Sequence, residues 1–133
     1  MNILCIDYGT RRIGIAIAMT PLAEPLEVIA NPIKIASQIV TPQALESVVR
    51  LIAKHEIEKV LVGISEEKMA DQTREFIERL EPLVHIPIEE VDETLSTHEA
   101  LQAMHSMKKS RREGPRDHIA AARMLQNYLD LHS

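Results

Sequence analysis

The chain has no tryptophan, one phenylalanine and two tyrosines, so aromatic rings cannot dominate its interior. Ile, Leu, Val, Ala and Met must build the core instead. Hydrophobic residues make up 45% of 133 positions, enough for one real core in a single domain spanning residues 1–133. Cysteine is almost absent. The lone Cys5 lies inside an apolar run and has no intrachain partner, which suits a reducing compartment. No uninterrupted apolar stretch is long enough to span a bilayer, and the N-terminus lacks a basic-plus-apolar leader. The expectation is a small cytoplasmic protein with no membrane partner. Excess positive charge is missing too. A net charge of -5 argues against a protein that coats nucleic acid indiscriminately, although a local basic surface stays open.

What is present has clear periodicity. Apolar and β-branched runs at 2–8 and 12–19 read as two strands, and residues 27–29 as a third, bounded by Pro25 and Pro32. Gly14, Ala16 and Ala18 alternate with Ile13, Ile15 and Ile17, which suits a strand lying close to another backbone. Thr41 and Pro42 are a helix cap and first residue. Leu45, Val48, Val49 and Ile52 follow at helical spacing. A strand at 59–63, a helix at 71–80 with Phe76, Ile77 and Leu80 inward, and a strand at 86–93 come next. Ser96 and Glu99 fit a capping box. A last helix starts near Arg116 with Ile119, Ala120, Met124 and Leu125 as its core stripe. A meander followed by alternating helices and strands predicts an α/β fold, a mixed sheet flanked by helices.

Three acids stand in loaded settings. Asp7 closes the run Ile3-Leu4-Cys5-Ile6 and precedes Tyr8-Gly9-Thr10-Arg11-Arg12. A carboxylate at the end of a buried strand is costly unless a cation or hydrogen-bond donors meet it. Gly9 permits a tight turn and Thr10 offers a hydroxyl. Such a strand–turn–strand unit serves ribonuclease-H-like nucleases and actin-like ATPases alike, and an Asp can also merely cap a hairpin. Asp92 and Glu93 end the fifth strand on opposite faces, so only one of them can join Asp7. Asp117 occupies the first turn of the last helix, where the helix dipole favours a carboxylate without any chemistry. Together the acids suggest a cage for a divalent metal.

The only basic cluster lies just before Asp117: Lys108, Lys109, Arg111, Arg112 and Arg116. It reads either as a solvated loop or as a track for a phosphate backbone beside the acids. The six histidines form no metal-ligand pattern. His98 and His105 are too far apart to be a close pair, and His118 is at most an aid to a nearby phosphate.

These motifs resemble the YqgF-type family of Holliday-junction resolvases, also described as precursor 16S rRNA nucleases. The resemblance runs through Ile6-Asp7-Tyr8-Gly9-Thr10-Arg11-Arg12-Ile13-Gly14-Ile15-Ala16, Val62-Gly63, Val91-Asp92-Glu93-Thr94-Leu95-Ser96-Thr97-His98-Glu99-Ala100 and Asp117-His118-Ile119-Ala120-Ala121. It implies a ribonuclease-H-like fold with a five-stranded mixed sheet. It also selects Glu93 over Asp92, making Asp7, Glu93 and Asp117 the metal-binding and catalytic carboxylates. Thr94 stands where the family often has Arg, and the stretch after Gly63 is shorter and more acidic than is common there.

The resulting expectation is an endonuclease that hydrolyses phosphodiesters with Mg²⁺ or Mn²⁺. Thr10, Arg11, Arg12 and the loop cations would bind substrate. Precursor rRNA is the favoured substrate and branched DNA the alternative. Few aromatic anchors and no heptad seam favour a monomer over a dimer. An actin-like ATPase would need a second copy of the opening motif, which is lacking. A non-catalytic nucleic-acid-binding or ribosome-assembly module is opposed by the presence of all three acids.

Overall fold

Aliphatic residues alternate between two faces along each central strand, and that alternation decides which helix each face receives. The computed structural model describes residues 1–35, 37–64, 70–92 and 117–132. In chain order the elements are β1 (Ile3–Asp7), β2 (Arg12–Ala18), β3 (Glu24–Ala30), α1 (Pro42–Lys54), β4 (Lys59–Ile64), α2 (Ala70–Leu80), β5 (Ile88–Asp92) and α3 (Asp117–Leu131). The five strands form one sheet in the order β3-β2-β1-β4-β5. The first three pair antiparallel, and β4 and β5 run parallel to β1. The sheet is mixed, as the alternation of elements predicts. No described helix is long and apolar enough to cross a membrane.

On one face Leu4, Ile6, Ile13, Ile15, Val60 and Val62 meet α1 and α2 through Val48, Ile52, Phe76 and Leu80. On the other, Ile3, Cys5, Ala16, Ala18 and Leu61 meet Ala121, Ala122, Met124 and Leu125 of α3. The register explains the second face. Ile3 pairs with Ala18, Cys5 with Ala16 and Asp7 with Gly14. Residues on β2 thus shrink to a methyl or nothing where α3 lies, and a helix can settle close to the backbone.

Several boundaries and stripes differ from those the sequence predicts. Strand β3 starts at Glu24 and includes Pro25, which pairs with Ala16 next to a register shift. Pro lacks a donor but is tolerated there because β3 is an edge strand. In α1 the buried residues are Ala44, Val48, Leu51 and Ile52, with Leu45 and Val49 only partly covered. In α3 they are Ala121, Ala122, Met124 and Leu125. Ile119 and Ala120 are only partly buried, because the trough on β2 takes the alanine face of the helix. Thr41 caps α1 as expected, its Oγ1 accepting the Ala44 N–H at 3.1 Å. Phe76, Ile77 and Leu80 of α2 are buried, also as expected. The capping box at Ser96 and Glu99 lies outside the described residues.

Candidate active site

The close approach of α3 to β2 assembles the site. An added Cβ on Gly14 would overlap the carbonyl carbon and oxygen of Asp117 and lie 2.7 Å from its Cβ. Gly14 is in turn the register partner of Asp7. One glycine therefore separates the backbones that carry two acids from opposite ends of the chain. Asp7 continues the β1 series Ile3, Cys5, whose members belong to the α3-facing core. Both acids stand at the same end of the sheet. Asp117 also sits in the first helical turn, where the exposed N–H groups favour negative charge.

Arg12 ties the turn after β1 to the helix. Its Nε donates to Asp117 Oδ2 at 3.0 Å, with side-chain exposures of 48% and 29%. A pair this open contributes about 0–1 kcal/mol to stability. Its more useful effect is geometric: it holds the Asp117 carboxylate beside the turn. Thr10 and Arg11 are exposed on the same turn. Gly9 is required there, since a Cβ would overlap the Arg12 carbonyl oxygen.

The structure thus brings together Asp7, Thr10, Arg11, Arg12 and Asp117. Glu93, Lys108, Lys109, Arg111, Arg112 and Arg116 lie outside the described residues. Strand β5 runs parallel to β4, itself parallel to β1, so its C-terminal residue Asp92 is at the Asp7 end of the sheet. Val91 packs on the α3-facing core. Among the described residues no three His, Cys, Asp or Glu side chains form a metal-binding group. Asp7 and Asp117 supply two carboxylates, hard oxygen donors of the class that Mg²⁺ and Mn²⁺ take.

Two features behind the site escape a reading by motif. Tyr8 faces away from α3, stacks on Phe76 with ring centroids 5.1 Å apart, and donates its hydroxyl to the Ile39 carbonyl. Burial, and then the charge of Glu75, push its phenol up to about 12. Asn31 is fully buried and bonds to the turn that follows Asp7. Its only signal in the sequence is a polar residue between the apolar end of β3 and Pro32.

The family described as RuvX, Holliday junction resolvase, matches residues 1–131. A protein of Halothermothrix orenii described as a candidate pre-16S rRNA nuclease is 33% identical, the alignment covering 98% of this chain and 95% of the relative. A protein of Natranaerobius thermophilus with the same description is also 33% identical, over 98% of this chain and 94% of the relative. Among solved structures, T. thermophilus RuvC in complex with a Holliday junction substrate superposes with a TM-score of 0.64 at 15% identity, covering 99% of this chain and 95% of that one. Fowlpox virus resolvase bound to Holliday junction DNA gives a TM-score of 0.56 at 12% identity, covering 99% of both chains. At such identities the likeness concerns the fold, which is ribonuclease-H-like.

Proposed function

This chain belongs to the RuvX family, and from that membership we propose that it is a divalent-metal-dependent endonuclease that cleaves precursor 16S rRNA. The observation that carries the reading is the meeting of Asp7 and Asp117 across Gly14. Glu93, which the family resemblance selects over Asp92, would complete the set. Three carboxylates held together repel one another unless cations neutralise them. Mg²⁺ or Mn²⁺ bound by these acids would supply Lewis acidity toward the phosphodiester and make water a better nucleophile near neutral pH.

The chain's own groups do the rest. Asp7, on the rigid end of β1, fixes one side of the site. Arg12 orients Asp117 and sits with Thr10 and Arg11 on an exposed turn where a phosphate backbone can pass. Lys108, Lys109, Arg111, Arg112 and Arg116 would add further cations for the same backbone. The descriptions of the two relatives favour RNA as substrate, while the family's own description supports branched DNA as the second reading. The protein would act as a monomer in the cytoplasm.

A cleavage assay on a precursor 16S rRNA fragment and a synthetic four-way junction tests the reading, run with Mg²⁺, Mn²⁺ or EDTA. Metal-dependent cutting of the RNA is expected. Cutting of the junction alone would move the substrate to DNA. Cutting of neither would leave a binding module.

A further inference from the structure

Asn31 is completely buried and every polar group of its side chain is engaged. Its Nδ2 donates to the Gly9 carbonyl at 3.1 Å and to the Ile39 carbonyl at 3.2 Å, while Oδ1 accepts the Thr41 N–H at 2.9 Å. Its backbone N–H donates to the Arg11 carbonyl at 2.8 Å. These partners fall in two segments. Gly9 and Arg11 form the turn between Asp7 and Arg12; Ile39 and Thr41 lead into α1. The β2–β3 ladder ends at the pair Arg12 and Ala30, so Asn31 continues the tie one residue beyond the sheet.

Resting on the reading of Asp7, Arg12 and Asp117 as site groups, we propose that Asn31 is a positioning residue that sets the Gly9–Arg12 turn for cleavage. Only a primary amide fits this place. It offers two donors to two carbonyls and one acceptor to an N–H. A carboxylate would keep the acceptor and the shape but turn oxygen toward both carbonyls. An apolar residue would take the side-chain partner from the Gly9 carbonyl and the Thr41 N–H and leave the Ile39 carbonyl to Tyr8 alone. Through the turn, Asn31 fixes where Arg12 meets Asp117 and how Thr10 and Arg11 are presented. Supporting groups of this kind locate site side chains without touching substrate.

The test compares Asn31→Asp and Asn31→Ser with Tyr8→Phe, well below each melting temperature. Tyr8→Phe removes the other donor to the Ile39 carbonyl but leaves the Gly9 carbonyl bonded, so it loosens the same region without freeing the turn. Two quantities are read: kcat and KM on a precursor 16S rRNA fragment, and the Mn²⁺ concentration giving half of the thermal stabilisation. The Asn31 variants should lose about 10–100-fold in kcat with KM little changed, and should need more Mn²⁺. Tyr8→Phe should lower the melting temperature but keep both readings near wild type. A folded Asn31 variant with wild-type kcat and Mn²⁺ midpoint would overturn the proposal. So would Tyr8→Phe losing kcat in the same proportion to its lost stability. Asp7→Asn is measured alongside. If it is active, the site reading fails and the role of Asn31 falls with it. If it is inactive beside fully active Asn31 variants, the role of Asn31 alone is rejected.

Discussion

Gly14 lies directly beneath Asp117: a single added carbon on Gly14 would overlap the Asp117 carbonyl and come within 2.7 Å of its Cβ. The absence of a side chain on β2 is what lets the first turn of α3 reach the Asp7 end of the sheet. Gly14→Ala should therefore push the helix outward, at a cost of about 1–3 kcal/mol for overpacking. Cleavage should fall by more than the lost stability explains, because Asp117 moves away from Asp7. Denaturant unfolding and cleavage rates of the same preparation check this.

Replacing the acids by their amides keeps size and removes charge. Asp7→Asn and Asp117→Asn should each abolish cleavage while the fold remains, as read by circular dichroism. Glu93→Gln should match them, and Asp92→Asn should do less harm. A damaging Asp92→Asn with a harmless Glu93→Gln would mean that the site uses the opposite face of β5.

Arg12 should separate activity from stability. Because its pair with Asp117 is open to solvent, Arg12→Ala should change unfolding free energy by about 1 kcal/mol or less. Cleavage should drop at least tenfold, and Arg12→Lys should restore only part of it, since a lysine lacks the planar fork. Equal activity of Arg12→Ala and wild type would remove Arg12 from the site.

Alkaline unfolding should report on Tyr8. Its phenol is raised from 10.0 to about 12, first by burial and then by Glu75. A raised folded-state pKa means stability that is fully present below pH 10 and is lost as the pH climbs toward 12. Lys59, raised chiefly by its hydrogen bond to Tyr128, adds to the same alkaline loss. Tyr8→Phe should flatten the decline over that window but not abolish it. An unchanged decline in Tyr8→Phe would assign the whole effect to other groups.

The mixed sheet and the positions of Asp7 and Asp117 were legible because they rest on short-range rules. Period-two burial marks the strands, a glycine-led turn follows Asp7, and an acid stands at a helix start. The alternation of Gly14, Ala16 and Ala18 even announced a close neighbour. The orientation of α3 was legible in part: Met124 and Leu125 are buried as helical spacing predicts, but the same spacing favours the bulky Ile119 as a core residue. The trough instead selects Ala121 and Ala122. Pro25 hid the start of β3, since its harm depends on whether the strand is central or at an edge. The role of Asn31 was not legible for a similar reason. Its partners Gly9, Ile39 and Thr41 become neighbours only once β3 has turned back along β2.

The central claim is that Asp7 and Asp117 hold a divalent ion, and paramagnetic broadening by Mn²⁺ tests it most directly. Mn²⁺ would be titrated into isotope-labelled protein while backbone amide signals are followed. The account predicts that Tyr8, Gly14 and His118, all adjacent to the two acids along the chain or across the sheet, broaden first, and that Asp7→Asn abolishes the effect. The acidic surface of α2, with Asp71, Glu75 and Glu78, provides the internal comparison. Broadening that begins there, or that persists undiminished in Asp7→Asn, would contradict the account.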